Sequence, residues 1–158
     1  VRGSTTQTKA PRFEPHRLTH GSVIAFDAPS LITFLCDRQG SQRLLEPLLL
    51  GIQQRYWHGL ISSLTLARVL AGPLSCGQEQ LAQHYKQVFT DPLHWRVLPV
   101  DTELAEAAMR LAQPSSLSEP AALELATAIA GGAALLVSDD PDLAQTGLLS
   151  VVPTGTRA

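Results

Sequence analysis

Apolar residues along the chain fall into short blocks of two kinds. VIAFD (23–27), HGLIS (58–62), WRVLPV (95–100), ALLVS (134–138) and LLSVVP (148–153) are brief apolar runs that predict strands, with WRVLPV read as buried. Between them the spacing is helical. PSLITFLCDR places Pro29 near a helix start and Leu31, Ile32, Phe34 and Leu35 on its apolar positions. Residues 41–54 carry the stripe Leu44, Leu45, Leu48, Leu49 and Ile52. SLTLARVLAG predicts a helix stopped by Gly72 and Pro73, and another follows over 78–89. Asp101 is placed to cap a helix over 102–112, with Pro114 and the serines after it read as a loop. Ser118 is placed to cap the next helix, Pro120 sits in its tolerated first turn, and Gly131 and Gly132 end it.

Strands alternating with helices in this way predict an α/β fold, with a mostly parallel central sheet of about five strands. Functional groups in such sheets lie beyond the carboxyl ends of the strands. Acids stand at two of those places: Asp27 after the first strand, and Asp139 and Asp140 after the fourth. Carboxylates converging there suit Mg²⁺ or Mn²⁺, which prefer hard oxygen ligands. The same residues also make ordinary turns and helix caps, and spacing alone does not choose.

Composition narrows the classes. The 158 residues are 44% hydrophobic and carry a formal net charge of −2, which suits one folded domain and argues against a nucleic-acid coat. The longest stretches without a charged side chain, 125–138 and 143–156, are 14 residues each, short of the ~20 that cross a bilayer. Abundant Leu and Ala favour helix, and no internal repeat is visible. Residues 1–22 are net positive, +3 against −5 for the remainder; without periodicity and with two prolines, they read as a basic mobile tail. His16 and His20 within it have helix-face spacing but no third ligand. Cys36 and Cys76, 40 residues apart, read as reduced, partly buried thiols of a cytoplasmic protein.

Three segments taken together resemble the PIN domain, close to the VapC-type toxin ribonucleases: VIAFDAPSLITFL, ISSLTLARVLAGP and EPAALELATAIAGGAALLVSDDPDL. The last is the most specific, a helix P-x-A-L-x-L-A-T-A, a Gly-Ala turn and an apolar strand ending Ser/Thr-x-Asp. The resemblance covers about 23–152, leaving a C-terminal tail at 153–158. It implies a three-layer α/β/α domain, an Mg²⁺- or Mn²⁺-dependent endonuclease for single-stranded RNA, a homodimer, and an antitoxin partner.

Of the four acids the resemblance implies, Asp27 matches the first and Asp140 the fourth, with Ser138 at the usual Thr/Ser position. The second falls on Arg68 and the third on Ala121. Four positions that would total −4 therefore total −1. An arginine between two aspartates can satisfy both without an ion and would repel Mg²⁺, so Arg68 is expected to take the place of the metal. Glu124, three residues beyond Ala121, could restore a ligand with Asp27 and Asp140, and Glu119 and Asp139 are near; the ordinary reading of Glu124 is a solvated helix-face charge.

RNA binding has little support in charge pattern. Arg38, Arg43, Arg55 and Arg96 form no run, Lys86 is the only lysine after residue 22, and Tyr56 and Trp57 offer a stacking surface or a half-buried pair. Asp27-Ala28-Pro29 excludes the paired acid of a receiver domain, the second Asp of a haloacid-dehalogenase-type phosphatase and a dinucleotide-binding glycine turn; no P-loop or GxSxG occurs, and His58, His84 and His94 form no recognisable triad. Three functions remain: a PIN-like protein with weak or absent nuclease activity that acts by interaction, with no metal required; an active endoribonuclease using Glu124 or Asp139; and a structural dimerisation module.

Overall fold

The computed structural model describes residues 17–36 and 45–155. Arg38, Arg43, His16 and the start of the helix expected over 41–54 lie outside the described residues. Along the chain come β1 (Val23–Phe26), α1 (Ala28–Cys36), α2 (Leu45–Gln53), β2 (His58–Ser62), α3 (Ser63–Ser75) and α4 (Glu79–Phe89). Then follow β3 (Trp95–Leu98), α5 (Thr102–Ser115), α6 (Glu119–Ala130), β4 (Leu135–Val137), α7 (Pro141–Gln145) and β5 (Val151–Val152). The strands form one sheet in the order β3-β2-β1-β4-β5, and every neighbouring pair is parallel.

Side chains that alternate along each strand feed two separate cores. Ile24, Phe26, Ile61, Leu135 and Val137 pack with Leu31, Leu48, Ile52, Val69 and Phe89 from α1 to α4. Ala25, Leu60 and Leu136 point the other way, onto Leu104 and Ala108 of α5, Ala122 and Leu125 of α6, and Leu143 of α7. The result is helices, sheet, helices, the three layers that the resemblance implies. Close approach is built with small residues. A Cβ on Gly131 would run into Leu60, and one on Gly59 would enter the Trp95 ring. No helix among the described residues is long and apolar enough to cross a membrane.

Several local expectations are corrected. The helix α3 runs through Gly72 and Pro73 to Ser75. A proline in the last turn removes only one N–H, and the chain actually turns at Gly77, whose φ of +68° is left-handed. Likewise α5 includes Pro114 and stops where Ser116 takes a φ of 53°. β3 lies at the sheet edge and only Trp95 in it is buried. The five-residue α7 over Pro141–Gln145 falls where the sequence pattern predicted no helix. Cys36 and Cys76 are both exposed. The described chain begins in a turn at residues 17–22, where the N–H of Gly21 donates to the Tyr56 carbonyl at 2.8 Å. At the other end Thr154 is buried and tied down, two residues past β5.

Candidate functional site

Acids stand where a parallel sheet places functional groups, at the carboxyl ends of β1 and β4, while β2 ends in Ser62. Asp27 follows β1 and caps α1: its Oδ1 accepts the Ser30 N–H at 2.8 Å, while its own N–H donates to Val137 O at 3.2 Å. The Ser30 hydroxyl donates to the same Val137 carbonyl at 3.3 Å, so Asp27 is fastened between the ends of β1 and β4. Its side chain is nonetheless almost out of water, at 5% exposure.

Asp140 is the N-cap of α7, its Oδ1 accepting the Asp142 N–H at 2.9 Å. Ser138, buried, accepts the Asp140 N–H at 3.1 Å and so sets the turn. The neighbouring Asp139 is spent elsewhere. Its two oxygens accept the Thr154 N–H at 2.8 Å and hydroxyl at 2.5 Å, closing the chain after β5 back onto the end of β4.

Glu124 is where the structure departs most from expectation. It is not a solvated helix charge but 4% exposed, on the buried side of α6. The Thr65 hydroxyl of α3 donates to Glu124 Oε1. Thr65 is itself held by Ser62, the α3 N-cap, whose Oγ accepts the Thr65 N–H at 2.9 Å and whose hydroxyl donates to Thr65 Oγ1 at 3.2 Å. The only sequence signal for this relay from β2 to α6 is that Ser62 is a residue type suited to a helix N-cap. Burial raises the Glu124 carboxyl to about 7, and the nearby Asp27 charge adds to the rise. The Thr65 hydrogen bond, the Arg68 charge and the Ala28 N–H oppose it.

Arg68 does not form the expected clamp. It is exposed on α3, and no ion pair to a carboxylate is formed by it among the described residues; its charge is felt at Glu124. The guanidinium's long stem carries it into water, where solvation competes with two carboxylates already engaged as caps. Ala121 lies buried in the first turn of α6, and Glu119 is exposed. Arg96 sits elsewhere altogether, donating to Gly131 O at the end of α6. An apolar cleft of about 470 Å³ lined by Leu31, Leu49, Tyr85 and Trp95 is separate from the acids.

A divalent cation would need several carboxylate oxygens aimed at one point. Among the described residues no group of three His, Cys, Asp or Glu side chains is so placed. One oxygen each of Asp27 and Asp140 is occupied as a cap, and Glu124 faces Thr65. As arranged, these side chains do not fit a metal centre.

The comparisons with known proteins agree with the architecture. No curated protein matches the chain significantly. Among solved structures, a toxin-antitoxin complex from Klebsiella pneumoniae superposes with a TM-score of 0.63 at 25% identity, covering 83% of this chain and 97% of that one. VapC20 of Mycobacterium tuberculosis, a Sarcin-Ricin loop cleaving toxin, gives 0.63 at 16% identity over 82% and 99%. VapBC2 of Rickettsia felis, bound to a promoter DNA fragment, gives 0.63 at 15% over 83% and 98%. The last two show the fold alone. The PIN domain family matches residues 25–149, most of the chain, and the protein belongs to that family.

Proposed function

We propose that this PIN-domain protein has weak or no ribonuclease activity at neutral pH, and that it acts in the cytoplasm by contact with RNA or a protein partner. The observation that carries the reading is the fate of the acids. Asp27 and Asp140 serve as helix caps, and Glu124 is buried against a hydroxyl with its carboxyl raised to about 7; the sequence resemblance puts Arg68 and Ala121 where two further acids would stand. The toxin-antitoxin complex at 25% identity supports an antitoxin-like partner, and a homodimer is part of the same proposal.

A second reading rests on the same residue. Glu124 lies close enough to Asp27 for their charges to interact, so it is the acid best placed to work with Asp27 and Asp140 in a nuclease. Calorimetry with Mn²⁺ and cleavage of labelled single-stranded RNA separate the two. The first reading expects neither binding nor cleavage by the natural protein, and a gain of Mn²⁺ binding in Arg68→Glu. Binding by the natural protein that disappears in both Asp27→Asn and Glu124→Gln establishes the second. A protein that neither binds RNA at low salt nor recognises a partner would be left with the structural, dimerising role.

A further inference from the structure

The edge of the sheet opposite the acids carries a rigid aromatic and basic surface that no step above uses. The strands are parallel, so the turns before β1 and β2 lie together at their amino ends, with Val23 registered against His58. Asp27 is at the far end of β1, and a four-residue strand separates the two edges by roughly 13 Å.

Tyr56 stands in this surface with 50% of its area exposed. It is held on two sides. His20 meets it edge-on at 4.9 Å between ring centroids, and Trp57 at 5.7 Å. The backbone is equally fixed: Tyr56 N–H donates to Gly51 O at 2.8 Å and Tyr56 O accepts the Gly21 N–H. Trp57 packs onto Gly51 so closely that a Cβ there would enter its ring. Arg55 just before it has a φ of 58°, the left-handed region that a Cβ disfavours, and its N–H donates to Ile52 O at 2.9 Å. Arg55 and His58, close to Tyr56 in the chain, are exposed, as is His20. The acid facing Arg55 is Asp91, whose carboxylate is already engaged by the Leu93 N–H at 3.0 Å and by His94 at 2.8 Å. The sixteen residues that lead into this edge carry Arg2, Lys9 and Arg12 against Glu14.

We propose that this edge, centred on Tyr56 and Arg55, is a binding surface for single-stranded RNA, separate from the acid site. A preorganised ring costs little entropy to stack on, and every base offers a π-face, while Arg55 supplies a phosphate contact. The assignment does not depend on whether Asp27 and Asp140 support cleavage.

Anisotropy of a fluorescein-labelled 12-mer oligouridylate with the full chain, at low salt, tests it. Tyr56→Leu keeps apolar bulk but removes the stacking ring and is expected to weaken binding about fivefold or more, whereas Tyr56→Phe binds like the natural protein. Arg55→Gln is expected to lower the salt slope by about one phosphate contact. Arg110→Gln, at an exposed arginine of α5 paired with Glu106, leaves binding unchanged, so loss of one positive charge and loss of this surface are told apart; an equal loss there overturns the assignment. Unchanged binding by Tyr56→Leu overturns the assignment, as does equal competition by duplex RNA, whose bases cannot stack on the ring. Absence of binding at low salt overturns it too.

Discussion

Replacing Glu124 by Gln tests the centre of the site directly. The substitution keeps an Oε1 acceptor for the Thr65 hydroxyl and nearly the same shape, and it removes only the ionisation. In the folded protein the Glu124 carboxyl is raised from 4.5 to about 7, chiefly by burial and then by the Asp27 charge. An acid with a higher pKa folded than unfolded binds more protons in the folded state between those two values. Stability must therefore fall as pH rises from about 4.5 to 7, and stay low above it. The rise corresponds to about 3 kcal/mol, as an order of magnitude, between the fully protonated and fully ionised limits.

Thermal unfolding at pH 5, 6, 7 and 8 reads this out. Near pH 5 the carboxyl of the natural protein is mostly neutral, and Glu124→Gln should differ little from it. At pH 8 the variant should be the more stable, with a midpoint roughly 6–12 °C higher for a domain of this size. A variant destabilised equally at every pH would refute the reasoning, as would a pH slope that survives the substitution. The same titration with Mn²⁺ added bears on function. A cation that used Glu124 would have to displace its proton, so it would flatten the slope of the natural protein and leave the variant untouched.

Two further substitutions probe the scaffold that holds the site. Gly59→Ala would push a Cβ into the Trp95 ring, which Phe26 and Phe89 already hold at 5.5 and 4.9 Å. Overpacking of this kind costs about 1–3 kcal/mol, and should appear as a lower unfolding midpoint with altered near-ultraviolet dichroism. Unchanged values would mean that the edge strand gives way freely. Asp139→Ala removes two acceptors from the buried Thr154, at a cost of about 1–3 kcal/mol. Hydrogen exchange at the Thr154 amide should quicken by more than exchange in β1; equal changes in both would show that the latch is not local.

Much of the fold was legible because the strong signals were local. Each strand is a short apolar run, and Asp101 and Ser118 cap α5 and α6 as their types suggest, accepting from Leu104 and Ala121. Gly72-Pro73 and Pro114 have the composition of helix stops, yet both lie within final helical turns, where a proline disrupts little of the helix. The edge position of β3 was illegible because WRVL has the composition of a central strand; only the order β3-β2-β1-β4-β5 reveals that one side of it has no strand partner.

The site divides along the same line. Asp27 and Asp140 were placed by their distance from strand ends, a purely local measure. Glu124 was not, because helical periodicity gives the direction of a side chain and says nothing of what covers it. A helical glutamate normally faces water, and here two facts override that expectation. It is the only charged residue between Glu119 and Asp139, in a segment whose other positions bury Ala121, Ala122, Leu125, Ala126 and Ala128. And Thr65, 59 residues earlier in the chain, brings the hydroxyl that makes burial tolerable. The first fact could have been read from sequence. The second exists only because β2 lies beside β1 and carries α3 up against α6 at the carboxyl edge of the sheet. Glu124 keeps a carboxyl near Asp27 while burial ties its charge to pH. For that reason the chemistry of this pocket should be read at pH 6 and pH 8 as two different sites.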